Sequence, residues 1–258
     1  MLVKQKGIII KAVNYGESDK IITILNEHGA KVPLMVRRAK KIKSGLQATT
    51  QIFVQGLFIY NQWKGMGRLT SVDVLNLNYE LRQDIYAHSY ASLCLETIDR
   101  AMETETDEIN PTMYRLLDFA FDRFQQGVSP QLIANIVMLK CMPRFGFDVD
   151  LSKCVMTGET NPAKLTHFSF KFDGIIATEV THRDPHALPL SNKTIYLTYV
   201  LKDLPLDKIN ALRIQDAIVE EMSKFILLLY KEYAGMYFKS QRLINQLNRL
   251  KVTDSTDD

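Results

Sequence analysis

The sequence predicts an α+β chain, with a small β-barrel at the N-terminus followed by a mainly helical region that carries an irregular insert. Three observations predict it. Residues 1–80 hold five short β-rich runs separated by turn signals, and beyond Asn78 apolar residues recur at three- and four-residue steps. Across residues 143–189 that helical period disappears and returns only afterwards.

The β-rich runs are "GIIIKAV", "KIITILNEHG", "AKVPLMV", "QIFVQGLFIYN" and "MGRLTSVDVLN", with glycine or polar residues at 15–18, 27–29, 43–45 and 64–67. Five short strands in this length fit a closed barrel better than an open sheet, because closure removes exposed edges. A five-stranded barrel of the oligonucleotide-binding type (OB-fold) is the leading candidate; an SH3-like barrel is the alternative, and periodicity does not separate them. Alternation assigns Phe53 and Phe58 to the core. Trp63, between Gln62 and Lys64, reads equally well as core or as an exposed ring.

In "DIYAHSYASLCLETIDRAM" Tyr86, Tyr90, Leu93, Thr97 and Ala101 form one apolar helical face. The acidic "ETETDEIN" is a solvated loop, after which Pro111 marks a helix start and Gly127 its stop. "SPQLIANIVMLKCM", opened by a Ser129 cap and Pro130, is apolar nearly all round and reads as a buried central helix. Further helices are expected at "SNKTIYLTYVLKD", along the whole of "DKINALRIQDAIVEEMSKFILLLYKEYAG" and at "KSQRLINQLNRL", with a polar, disordered tail. The expected division is a barrel domain over 1–79 and a helical domain over 80–258, the latter holding the insert at 145–190.

Composition narrows the functional classes. No apolar run is long enough to span a membrane, and the first residues lack the form of a signal peptide. Cys94, Cys141 and Cys154 form no CxxC pair, which suits a reducing cytoplasm. The net charge of +3 hides an asymmetry: residues 1–80 carry 12 Lys and Arg against 5 Asp and Glu, so the barrel region is basic and the remainder acidic. In "VRRAKKIK", Arg37, Arg38, Lys40, Lys41 and Lys43 place five cations in seven positions. Such mutual repulsion is relieved by a polyanion, and cations that neutralise phosphates release condensed counterions. Lys20, Lys31, Lys64 and Arg68 are expected to extend this track on neighbouring strands. Phosphate-loop, dinucleotide, nucleophile-elbow and zinc-protease motifs are all absent, and neither His28 nor His88 has a local carboxylate partner. Glu103, Glu105, Asp107 and Glu108 read as solvated surface. No enzyme activity and no cofactor are expected.

"VNYGESDKIITILNEHGAKVPLMVRRAKK" resembles the start of the bacterial RecO recombination and repair proteins. Tyr15, Gly16, Glu17, Lys20, Ile22, Thr23 and Leu25 match the family pattern, and "VRRAKK" stands where its basic segment belongs, with Arg38 in place of the usual glycine. "KEYAGMYFKSQRLINQL" resembles the family's C-terminal signature at Tyr233, Gly235, Lys239, Ser240, Arg242 and Leu243, and "THRDPHALPL" matches the segment after its zinc site. The resemblance implies an OB-fold, a helical domain and a recombination mediator that binds single- and double-stranded DNA and anneals complementary strands. It also implies partnership with RecR and with the C-terminal tail of single-stranded DNA-binding protein, loading RecA onto coated strands. An acidic tail of that kind needs cations beside an apolar pocket, and Lys140, Arg144, Lys239 and Arg242 are the candidates. Family zinc is held by two CxxC pairs; here Cys154 keeps one position, while Thr157, Ala177 and Val180 occupy the others. One thiolate does not hold tetrahedral zinc, and Pro185 separates His182 from His186, so no metal is expected. Packing of Phe168, Phe170, Ile175 and Ile176 is expected to hold the insert. Rival readings are an RNA-binding OB-fold factor and a scaffold for an acidic protein.

Overall fold

The computed structural model describes residues 1–41, 45–63, 65–103, 110–209 and 213–254. Lys43, Lys64, most of the acidic loop (Glu105, Asp107 and Glu108 among it) and the last four residues lie outside them. The chain forms two compact units, Met1–Gln126 and Gly127–Asp258.

In the first unit, β1 (Leu2–Tyr15), β2 (Asp19–Asn26), β3 (Lys31–Val36), β4 (Gln55–Asn61) and β5 (Gly67–Asn76) close into a barrel of order β1-β2-β3-β5-β4. Every pairing is antiparallel except β3 with β5, which is parallel and short, Leu34 facing Gly67 and Met35 facing Arg68. This closed, mixed order is that of an OB-type barrel. β1 is long because its first half pairs with β4 and its second with β2; a register shift between Ile9 and Lys11 lets it bend between the two partners. Ile9, Ile22, Ile24, Leu34, Val36, Phe58 and Tyr60 fill the interior.

Phe53 is fully buried, as alternation requires, but it does not lie on a strand. Its φ of 73° turns the ring out of the barrel and towards two helices, where it meets His88 at 5.2 Å and Phe121 at 5.8 Å, both edge-on. Those helices are α3 (Ile85–Ala101) and α4 (Thr112–Gln125), preceded by two single-turn helices, α1 (Leu46–Thr49) and α2 (Glu80–Gln83). The Asp84 carboxylate caps α3 by accepting from the Tyr86 and Ala87 amides. Gln55 donates to Asp118 at 2.8 Å, and Asn78 donates to the Phe53 carbonyl while accepting from Gln125, so the barrel's closed end is tied to α4. Gly29 fits this seam for want of a side chain: a Cβ there would lie 2.0 Å from the Asn110 carbonyl oxygen.

The second unit holds α5 (Pro130–Cys141), α6 (Asn192–Asp203), α7 (Asp216–Ala234) and α8 (Ser240–Asp254). From Leu132 to Leu139 every residue of α5 is buried, as its apolar composition requires. Ser129 sits at its N-cap position but makes no side-chain capping bond. The single long helix expected from Asp207 is corrected: Leu206–Lys208 is a 3-10 turn and the helix begins at Asp216. The buried stripe of α7 (Val219, Met222, Phe225, Ile226, Leu229, Tyr230) starts at Val219, and Ile209, ahead of the helix, is buried without being part of it.

Between α5 and α6 the insert forms a three-stranded antiparallel sheet of order β7-β6-β8, from β6 (Leu165–Ser169), β7 (Gly174–Ala177) and β8 (Leu188–Pro189). Phe168, Ile175 and Ile176 are fully buried, and Phe168 packs on Phe170 at 4.9 Å and on Phe225 of α7 at 5.1 Å. Cys154 is buried and its Sγ accepts from the Ala177 amide at 3.3 Å. Burial raises that thiol, but hydrogen bonds from Thr157, Ala177 and Met156 outweigh it and hold the group below its ordinary value. His182 and His186 are both exposed. Among the described residues no three His, Cys, Asp or Glu side chains are grouped to hold a metal ion.

Candidate nucleic-acid interface

Strand register decides which predicted cations share a surface. Tyr15 faces Asp19 where β1 turns into β2, and Lys20 faces Val36 at the end of β3. The parallel pair puts the start of β5 beside that end, and Asn61 at the end of β4 faces Arg68. One rim of the barrel therefore gathers the β1–β2 turn and the loop after β3, while the β4–β5 loop leaves β5 in the opposite direction and lies beside Met1. Arg37, Arg38, Lys40 and Lys41 follow β3 there, and exposed Arg68 stands on the neighbouring strand beside Met35, two residues before Arg37.

The loop after β3 is built, not slack. Ala39 is fully buried in the barrel core between two pairs of cations. Asp19 Oδ1 accepts from the Arg38 amide at 2.8 Å and from Ser18 Oγ at 2.9 Å. Those bonds, the Arg38 amide foremost, hold the Asp19 carboxyl below its ordinary value. The Lys40 amide donates to the Ser18 carbonyl, and Lys40 Nζ donates to the Gly16 carbonyl at 2.9 Å. Lys40 is therefore partly a strap between the two turns, while the Arg37, Arg38 and Lys41 side chains are exposed.

Two expected members of the track stand elsewhere. Lys20 is only 9% exposed, and burial, with Lys40 nearby, holds its ammonium below the ordinary lysine value. It adds positive charge beneath the rim and offers little contact surface. Lys31 faces Leu25, away from that rim, and its Nζ pairs with the Asp99 carboxylate at 2.5 Å, which joins β3 to α3. Sequence reading missed Tyr15, Ser18 and Asp19 as parts of the rim. The signal was present: "YGESDK" places a hydroxyl and a carboxylate in a glycine turn, the usual chemistry for capping a neighbouring loop.

The cations proposed for a partner's tail also divide. Lys140 Nζ donates to the carbonyls of Lys202 at 2.6 Å and Leu204 at 2.5 Å, closing the C-terminus of α6. Burial holds that ammonium below its ordinary value. Arg144 lies on the 3-10 turn Met142–Phe145, and Lys239 is exposed just before α8. Arg242 lines a groove of about 520 Å³ between α7 and α8, together with Leu227, Leu228, Met236, Tyr237, Lys224 and Lys231. Lys224 also pairs with Glu220 at 2.7 Å.

No described helix is long and apolar enough to cross a membrane. The family description "Recombination protein O N terminal" matches residues 1–78, and "Recombination protein O C terminal" matches residues 82–242. The DNA repair protein RecO of Staphylococcus saprophyticus is 62% identical over 250 residues, covering 97% of this chain and 99% of the relative. That of Staphylococcus aureus strain RF122 is 60% identical over 251 residues, covering 97% of this chain and 100% of the relative. With matches that take in both units and nearly every residue, the chain belongs to the RecO family of DNA repair and recombination proteins.

Proposed function

We propose that the chain is a cytoplasmic recombination mediator of the RecF-pathway type, associated with the nucleoid during repair. It binds single- and double-stranded DNA at the barrel rim, anneals complementary strands and helps load RecA onto strands coated by single-stranded DNA-binding protein. It acts by binding and not as an enzyme, in keeping with its family. The observation that carries this reading is the gathering of Arg37, Arg38 and Lys41 in a segment fixed by Ala39 and Asp19, with Arg68 on the neighbouring strand beside Met35. Cations held in place lower the repulsion between two phosphate chains, which is the obstacle to annealing. The barrel, residues 1–79, would carry the DNA contacts, and both it and the helical domain, residues 80–258 with the insert at 145–190, the contacts with protein partners such as RecR. The groove beside Arg242 suits the tail of single-stranded DNA-binding protein, since its apolar and cationic lining fits an acidic segment ending in an aromatic ring.

Salt titration tests the DNA contacts. Four phosphate contacts on a single strand give log K against log[salt] a slope of about −3. Changing Arg37, Arg38, Lys41 and Arg68 to Glu is expected to remove most of that slope and the annealing activity. An unchanged slope would move the function to another surface and favour a scaffold for an acidic protein. Equal affinity for RNA and DNA of the same length would favour the RNA-binding reading.

A further inference from the structure

Trp63 is the chain's single tryptophan, and 60% of its surface is exposed. It lies in the β4–β5 loop, two residues past the end of β4 and four before β5. The loop is shaped to keep the ring outside: Gln62 Nε2 donates to the Trp63 carbonyl at 3.0 Å, and the Gln62 amide donates to the Met1 carbonyl at 2.9 Å. Both bonds hold backbone and leave the indole unengaged by them. By strand register this loop lies next to Arg68, which faces Asn61 on one side and Met35 on the other, two residues before Arg37. A second exposed ring, Tyr15 at 54%, stands at the β1–β2 turn, on the rim that holds Arg37 and Arg38. An indole left in water forfeits the burial free energy that the Tyr60 and Phe58 rings of the barrel collect.

Resting on the DNA-binding reading, we propose that Trp63 is a stacking platform for an unpaired nucleobase at the Arg68 end of the cationic path that leads over β5 and β3 to Arg37 and Arg38, with Tyr15 a second platform at its other end. The cations take the phosphates and the rings take bases, which are free to stack only where a strand is single. A duplex keeps its bases stacked on one another and uses the cations alone. This surface thereby distinguishes the two forms of DNA it binds, with no hydrogen bond to a base edge and so without sequence preference.

The single indole makes the test direct. With the full-length chain, oligothymidylate is expected to change Trp63 emission at saturation, and a duplex of equal length to change it little. Trp63→Ala is expected to lower affinity for the single strand roughly tenfold while leaving the salt slope unchanged, because the slope counts phosphates and not stacked bases. Trp63→Phe should restore most of the loss and thereby separates stacking from misfolding. If a labelled oligonucleotide binds normally, by anisotropy, but emission and the Trp63→Ala affinity do not change, stacking is wrong and the DNA-binding reading stands. Equal losses for single strand and duplex, or an emission change produced by an acidic protein and not by oligothymidylate, would also overturn it. If no oligonucleotide binds at low salt, both readings fall.

Discussion

Arg38 adopts a φ of 55°, a left-handed conformation in which a side chain with a Cβ costs roughly 1 kcal/mol more than glycine. The chain accepts that strain, offsets it with the Asp19 bond to the Arg38 amide, and gains an exposed cation. Arg38→Gly is therefore expected to act in opposite directions on two measurements. Stability by urea unfolding should rise by up to about 1 kcal/mol, trimmed by the greater freedom of glycine in the unfolded chain. The salt slope of single-strand binding should shrink by about 0.7, one phosphate contact. A fall in both would show that the arginine supports the loop's fold. At this scale the sequence exposed the cation cluster, because clustering is local. It did not show that Lys31 is committed to Asp99, since that partner is 68 residues away. Nor did it show that Lys20 is buried, because strand alternation gives two faces without saying which is inside.

Helix α6 begins on a carboxylate of another helix. Ser191 caps it by accepting from the Thr194 amide, while Glu221 of α7 accepts from the Ser191 amide at 3.0 Å, from Ser191 Oγ at 2.6 Å and from the Thr194 hydroxyl. Burial raises the Glu221 carboxyl, but these bonds outweigh it and hold the group below its ordinary value. A depressed carboxyl contributes stability that is complete above its unfolded value, about 4.3, and is lost as pH falls through the folded value. Glu221→Gln is expected to cost about 1 kcal/mol near neutrality, the low end for a charged acceptor that is partly in water. It should also flatten the decline in stability below about pH 4.5, as followed by denaturant midpoints across pH. Unaltered acid sensitivity would place that decline elsewhere. Whole helices were legible where an apolar stripe runs their length, as in α3 and α5. The start of α7 was not, because apolar residues at helical spacing, Ile209 and Leu212, continue the pattern ahead of Asp216 in the sequence. The insert's aromatic residues were legible as packing; its sheet was less so, since strands as short as Leu188–Pro189 show no period.

Across the molecule, the change from strand to helix pattern near residue 79 and the boundary between compact units after Gln126 are different things. Phe53, Gln55 and Asn78 all find partners on α3 or α4, so the barrel shares a core with helices that follow it. A fragment of residues 1–126 is expected to unfold cooperatively and to bind single-stranded DNA with the salt slope of the full chain. A fragment of residues 1–79 leaves the Phe53 ring and the Asn78 and Gln55 amides without those partners, and is expected to be poorly soluble or to lose cooperative unfolding. Equal stability of the two by calorimetry would show that the barrel stands alone. Barrel closure was legible from the number and spacing of strands, whereas its union with α3 and α4 rests on contacts made far along the chain. The burial of Ala39 has a consequence for how binding is driven. With its middle residue plugged into the core, the segment from Arg37 to Lys41 keeps its shape before any ligand arrives, so the entropy lost on association is chiefly the polynucleotide's own. Encounter, sped by long-range attraction, then limits the on-rate, with no folding of the loop in between.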